Sequence, residues 1–319
     1  LASRGLGDVY KRQPWEFVAS RVAVRPAAQI VARARLLGLA AAVAEDPAPA
    51  APPWCRVAAR GRSVRRAPAE PPLVIDLSSL WAGPLCTHLL ELAGARVVKL
   101  ESTRRPDGAR SGPPDFFALL NAGKASVAID FGEGEGRRKL HRILERADIV
   151  VESARPRALA QLGVDAESWV ESVPGRTWVS LTGYGRGEPG AGWIAFGDDA
   201  GVAAGLAAAT GGGDPPLFCG DAIADPLTGL HAALAALACW RAGGGYLLDL
   251  ALSDVAAHVL AFAPAPSAAE VHPAGDGWEV VVGHQRAPVS PPRARPARRA
   301  ARPFGADTDR VLEELAIPC

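Results

Sequence analysis

The 319-residue chain is 49% hydrophobic and 22% charged, with 35 Lys and Arg against 34 Asp and Glu, a formal net charge of +1 and an isoelectric point near 7.9. At roughly 100–200 residues per domain this length allows two domains and a sizeable core, and the balanced charge lacks the basic field that carries non-specific nucleic-acid binding. No run of about 18 apolar residues occurs, so nothing reads as a membrane span, and five cysteines (Cys55, Cys86, Cys219, Cys239, Cys319) without metal spacing point to a reducing cytoplasm.

Residues 1–13 (LASRGLGDVYKRQ) resemble a translated cloning scar and are set aside from fold reasoning. Within 14–70, Ile30, Ala34, Leu37 and Ala41 recur at helical spacing with Arg33 and Arg35 between them, which predicts one amphipathic helix. From Asp46 to Pro72 the composition turns to Pro, Ala and Arg, predicting an extended linker and a domain boundary near residue 70. The segment 71–260 then becomes regular. LVIDL (73–77), ARVVKLE (95–101), SVAIDF (126–131), DIVVE (148–152), RTWVSLTG (176–183) and YLLDLAL (246–252) read as strands. Between them GPLCTHLLELAG (83–94), EGRRKLHRILERA (135–147) and TGLHAALAALACWRA (228–242) read as helices. Apolar strands alternating with helices predict an α/β fold: a doubly wound, mostly parallel sheet covered on both faces. In 261–319 the pattern weakens, the Arg- and Pro-rich 289–303 reads as a solvated tail, and TDRVLEELA (308–316) reads as a last helix capped by Asp307 or Thr308.

Few motifs carry chemistry by themselves. GRGEPG (185–190) has dinucleotide-type glycine spacing after a strand, yet Pro189, Gly190 and Gly192 leave no helix to aim at a pyrophosphate, so a surface loop is the better account. The six histidines show neither paired metal spacing nor a nucleophile elbow. Asp225 precedes Pro226 at the start of the 228–242 helix, which on local sequence favours helix capping over catalysis. Asp198, Asp199 and Asp221 are further acids near Gly-rich turns.

Five ordered blocks, DLSSLWAGPLCTHLLELAGARVVKLE (76–101), NAGKASVAIDF (121–131), ADIVVESARPRALAQLG (147–163), SLTGYGRGEPG (180–190) and PPLFCGDAIADPLTGLHAALAAL (215–237), resemble the class III acyl-CoA transferases, a family that also contains α-methylacyl-CoA racemases. The resemblance implies a Rossmann-like large domain over 71–260, a second small domain and an interlocked homodimer. It places the catalytic carboxylate on Asp225, reversing the local odds, and makes coenzyme A and acyl-CoA substrates, with a carboxylate acceptor and no permanently bound cofactor or metal. It further implies CoA contacts from Leu80, Trp81 and Ala82, from Ser153, Ala154, Arg155 and Arg157, and from the cations Lys99, Arg104, Arg105 and Lys124.

The sequence departs from that pattern in two places. The His that a racemase of this family uses would fall within AFGDDAGVAAGL (195–206), where Phe196, Gly197, Asp198 and Asp199 stand instead. That makes racemisation the runner-up to CoA transfer. The residues after 260 are too few for a full small domain, so the second domain is expected to be largely truncated, and a degenerate CoA-binding protein is the third reading.

Overall fold

The computed structural model describes residues 16–48, 50, 52–65, 71–132, 134–211, 217–262, 269–291, 293 and 295–318. The segment 1–13 and Cys319 lie outside the described residues. A helix over 16–22 (α1) is followed by α2 (Ala27–Leu36), the expected N-terminal helix.

Six strands form a parallel array: β2 (Leu73–Asp76), β3 (Arg96–Ser102), β4 (Ala125–Ile129), β5 (Ile149–Glu152), β6 (Thr177–Thr182) and β7 (Tyr246–Ala251). In space they run β7-β6-β5-β2-β3-β4. The chain therefore winds outward from β2 to β4, returns, and winds outward again from β5 to β7. In such sheets a crevice opens at the carboxyl ends of the two central strands, where the winding reverses; here that point lies between β2 and β5.

Both faces of the sheet are apolar because neighbouring residues point in opposite directions. Ile75, Val98, Val150, Trp178 and Leu247 face one core, with Leu140, Ile143 and Leu144 of α5 (Gly134–Arg146) and Trp169 and Val170 of α7 (Ala166–Ser172). Val74, Val97, Val151, Val179 and Leu248 face the other. There they meet Cys86 and Leu90 of α3 (Ala82–Leu92) and Ala232, Ala233 and Ala236 of α10 (Ala224–Arg241). Small residues let α3 and α10 approach closely. A Cβ at Gly229 would stand 2.7 Å from the Ala82 carbonyl oxygen, so glycine sets how near the start of α10 comes to the start of α3.

Three expectations change. Residues 56–60, read as linker, form β1 (Arg56–Arg60), which pairs antiparallel with β7. The sheet thus begins before residue 70, because strand pairing satisfies the edge of β7 in a way that local composition does not foretell. Between 261 and 288, where no element was expected, β8 (Ala269–Ala274), β9 (Gly277–Val282) and β10 (Gln285–Pro288) form a small, largely exposed antiparallel sheet. The last helix, α12 (Thr308–Glu314), does follow Asp307, but that carboxylate does not cap it. It accepts from the Ser126 amide at 3.0 Å and from Arg302 and Arg310 instead, which ties the chain end to β4. Among the described residues no helix is long and apolar enough to cross a membrane.

Candidate active site

Asp225 is the second residue of α10 and is half-buried. Its neighbour Ile223 occupies the capping position and supplies no side-chain cap, so the capping role expected from local sequence is not what the carboxylate does. The Asp225 carboxylate lies beside the backbone N–H groups of Ala82 and Gly197, the first residues of α3 and of α8 (Gly197–Ala203), and both favour its charged form. Removal from water pushes its pKa up to about 6. The two amides oppose that shift, and the neighbouring Asp198 and Asp199 add to it. The result is a carboxylate held at the meeting point of three helix starts, poorly hydrated yet still ionised at neutral pH.

The closeness of α8 depends on Gly197. A Cβ there would lie 2.2 Å from the Ala222 carbonyl oxygen and 2.5 Å from Asp225 Oδ2. The adjacent aspartates fix this turn from two sides. Asp198 accepts the Ala222 amide at 2.8 Å, holding a residue whose φ of 45° lies in the left-handed region. Asp199 accepts the Phe196 amide at 2.6 Å and the Tyr184 hydroxyl at 2.5 Å. No group of three or more His, Cys, Asp and Glu suited to a metal occurs among the described residues.

The loops after β2 and β5 flank the crevice at the winding reversal. The Ser79 amide donates to Ser153 Oγ at 3.2 Å, so the two stretches singled out for CoA, Leu80 to Ala82 and Ser153 to Arg157, stand side by side. Leu80 is exposed, with a strained φ of 70°, and its amide donates to Asp107 at 3.0 Å. Trp81 packs edge-on against Phe116 with ring centroids 5.1 Å apart. Ser153, Arg155 and Arg157 are exposed, Ala154 is half-buried, and the Ala154 amide donates to the buried Glu152 at 2.7 Å. Burial pushes the Glu152 carboxyl up to about 7, against hydrogen bonds from Ser180 and Ala154 and the charge of Arg186.

The four cations divide. Arg104 and Arg105 follow β3 on the surface, Arg104 bridging to Asp130 at 2.8 Å. Lys99 and Lys124 are only 1% and 2% exposed. Lys99 pairs with Asp107 at 2.8 Å and donates to the Ser78 carbonyl at 3.0 Å. Lys124 pairs with Asp76 at 2.9 Å and donates to the Pro84 carbonyl at 2.9 Å. Their expected role as phosphate contacts is corrected: an ammonium sealed inside the domain with an acidic partner holds loops, and burying it without one would cost several kcal/mol. Burial alone would raise the Asp76 pKa, but Lys124, Lys99, Ser78 and Thr87 together hold it well below the usual carboxylate range. These pairs brace the segment between β2 and α3, and hence the Ala82 amide beside Asp225.

GRGEPG lies in the loop after β6. It leads into a single turn over Gly190–Gly192, with no long helix behind it, in keeping with the reading as a loop. The sequence reading missed Gly197, Tyr184 and Asp107 as parts of the site. A Gly immediately before two acids was the one available signal for the first, and its meaning depended on α8 meeting α10.

Residues 72–285 match the family described as CoA-transferase family III. The chain is 33% identical over 201 residues to an acyl-CoA transferase of Fusarium pseudograminearum, covering 57% of this chain and 44% of that protein. It is 32% identical over 214 residues to a succinate–glutarate CoA-transferase of Agrobacterium fabrum, covering 60% and 54%. It is 30% identical over 193 residues to a formyl-CoA:oxalate CoA-transferase of Escherichia coli, covering 57% and 46%. The chain thus spans about half the length of the curated relatives it matches. A CAIB/BAIF family protein from Brucella suis superposes with a TM-score of 0.59 at 28% identity, covering 68% of this chain and 66% of that one. A hypothetical protein from Mycobacterium tuberculosis does so with a TM-score of 0.60 at 25% identity, covering 70% and 66%.

Proposed function

The chain belongs to CoA-transferase family III, and from that premise we propose that it moves coenzyme A from an acyl-CoA thioester to a carboxylic acid, with Asp225 as the nucleophile. The observation that carries this reading is the Asp225 carboxylate itself, half-buried, packed against Gly197 and beside the Ala82 and Gly197 amides. Partial dehydration sharpens an otherwise weak nucleophile, while ionisation near pH 6 leaves it charged under neutral conditions.

In the first step an Asp225 carboxylate oxygen attacks the thioester carbonyl carbon. The carbon–sulfur bond breaks and CoA leaves as the thiolate, giving a mixed anhydride. The thiolate then attacks the aspartyl carbonyl and expels the donor acid, leaving an aspartyl-CoA thioester. The acceptor carboxylate attacks that thioester, forming a second anhydride and releasing the thiolate once more. Attack of the thiolate on the acceptor carbonyl forms the new acyl-CoA and restores the Asp225 carboxylate. In the two middle steps, where the aspartyl carbonyl itself is attacked, the Ala82 and Gly197 amides polarise it and stabilise the oxyanion that forms on it.

Coenzyme A enters as a substrate, so this scheme requires no resident cofactor. The crevice loops around Leu80 to Ala82 and Ser153 to Arg157 are proposed to carry it, with Arg104, Arg105, Arg155 and Arg157 as the exposed cations available to its phosphates. Assembly as a homodimer belongs to the same reading, supported by Leu230 and Leu234, 52% and 63% exposed one turn apart on α10. At the place where a racemase would carry its His, α8 presents the Gly197 amide to Asp225, which favours transfer over α-proton exchange.

The test is intact-protein mass spectrometry after incubation with a panel of acyl-CoAs, with and without hydroxylamine. Formation of an adduct of CoA mass, and its conversion to a hydroxamate on the peptide containing Asp225, is the expected result. CoA binding without any adduct, in a protein whose Asp225→Ala variant binds equally well, would overturn the catalytic reading.

A further inference from the structure

The helix α2 lies outside the segment matched to the family, yet its Arg35 reaches the walls of the site. The Arg35 guanidinium carbon sits 3.6 Å from the ring centroid of Trp193 and 4.9 Å from that of Tyr184. The two rings meet edge to face at 5.3 Å. The Arg35 Nε donates to the Ala41 carbonyl at 3.1 Å, so the guanidinium is fixed both by this bond and by the two rings. Tyr184 in turn donates its hydroxyl to Asp199 Oδ2, and Asp199 Oδ1 accepts the Phe196 amide. Phe196 immediately precedes Gly197, which packs so closely on Asp225 that a Cβ there would stand 2.5 Å from its Oδ2. The contacts from the N-terminal helix to Asp225 are therefore continuous, by ring stacking at Arg35, hydrogen bonds through Asp199, and the close packing of Gly197 against Asp225 Oδ2.

We infer that Arg35 is a positioning residue for Asp225: through Tyr184 and Asp199 it fixes the first turn of α8, and with its positive charge it offsets the Asp199 carboxylate that faces Asp225. This rests on the assignment of Asp225 as the nucleophile. Two physical effects act together. Stacking on two aromatic faces holds the guanidinium in one place. That placement lets Tyr184 keep a single rotamer and Asp199 keep both of its partners. Asp198 and Asp199 of α8 both disfavour ionisation of Asp225, while the Ala82 amide of α3 and the Gly197 amide of α8 favour it. Removing Arg35 leaves Asp199 less compensated and its turn less constrained, and both changes disfavour the Asp225 carboxylate.

The readout separates this role from plain stability. Carbodiimide coupling of a small amine to Asp225, followed by peptide mass spectrometry across pH, reports the ionisation midpoint of that carboxyl without any need for turnover. Arg35→Ala is expected to move the midpoint upward by about half a unit to one unit. It should also lower the rate of acyl capture by Asp225 at pH 6 by about tenfold with little change in the half-saturating acyl-CoA concentration. Arg35→Lys, which restores the charge and part of the stacking, should recover most of both. Arg33→Ala, on the exposed side of the same helix, should change neither. A midpoint that stays at the wild-type value in Arg35→Ala would overturn the inference, even if the variant melts earlier. A midpoint that moves in a protein whose Asp225→Asn variant still transfers CoA would keep the brace and overturn the catalytic assignment instead.

Discussion

Gly197→Ala perturbs the seat of the proposed nucleophile without replacing the nucleophile. The added methyl group would stand 2.2 Å from the Ala222 carbonyl oxygen, 2.5 Å from its carbonyl carbon and 2.5 Å from Asp225 Oδ2. Ordinary contact begins near 3.4 Å, so α8 and the 222–225 turn must separate by about 1 Å. Two of the three obstacles are backbone, and the third is the reacting carboxylate, so no flexible side chain can swing aside. Overpacking of this kind costs about 1–3 kcal/mol of stability. A displacement of about 1 Å at a reacting group costs on the order of 100-fold in rate. The assay is the rate of acyl-CoA capture by Asp225, followed by intact mass, beside thermal denaturation. Gly201→Ala, one turn later in α8, is the control. Its nearest neighbours would be Leu206 Cδ1 at 3.6 Å and Ile223 Cγ2 at 3.8 Å, so it should capture acyl-CoA normally and gain roughly 0.5–1 kcal/mol from the helical alanine. Wild-type capture by folded Gly197→Ala would refute the argument that the Gly197 amide holds the carboxylate in place.

Capture by Asp225 should rise with pH through a midpoint of about 6, the pH at which the buried carboxyl ionises; a midpoint near 4 would show a solvated group. Because the folded-state pKa is raised, this group favours folding below about 4 and loses that advantage as pH rises through about 6. Asp225→Asn should therefore match wild type at pH 4 and exceed its stability by up to about 2–3 kcal/mol at pH 7, as measured by denaturant melts. Lys124→Met strands the fully buried Asp76 carboxylate and should cost about 3–5 kcal/mol in the same melts; a loss below about 1 kcal/mol would mean that Asp76 finds other compensation. Leu80→Gly relieves a φ of 70° and should stabilise the fold by about 1 kcal/mol while weakening CoA binding in calorimetry, since the crevice loop loses its fixed path.

Much of the sheet was legible in the chain because its strands are short, β-branched and buried on both faces, and each is punctuated by a helix. LVIDL, DIVVE and RTWVSLTG carry that signal within a handful of residues, and β2, β5 and β6 stand where it put them. β1 was not legible, since RVAAR has no strand pattern of its own and becomes one by satisfying the open edge of β7. The small sheet of β8 to β10 was missed for a related reason: it is exposed on nearly every residue, so it shows no buried face to read. The site divides in the same way. Asp225 was reached through its ordered motif, whereas local sequence by itself argued for a helix cap.

Lysine and aspartate in a sequence announce charge and nothing about where it goes. Lys99 and Lys124 read as ligand-binding groups, and the fold seals them inside instead, Lys99 with Asp107 and Lys124 with Asp76, the second pair 48 positions apart in the chain. By itself, then, the sequence determined the alternation of strands and helices, since hydrophobic period is a local property. It also marked the aspartate that opens α10. Only the tertiary structure decided that this aspartate meets the amides of Ala82 and Gly197, and that Arg35 braces the turn beside it. Burial, amide donation and neighbouring charge are what give a carboxylate its reactivity, and all three come from chain segments far apart in sequence.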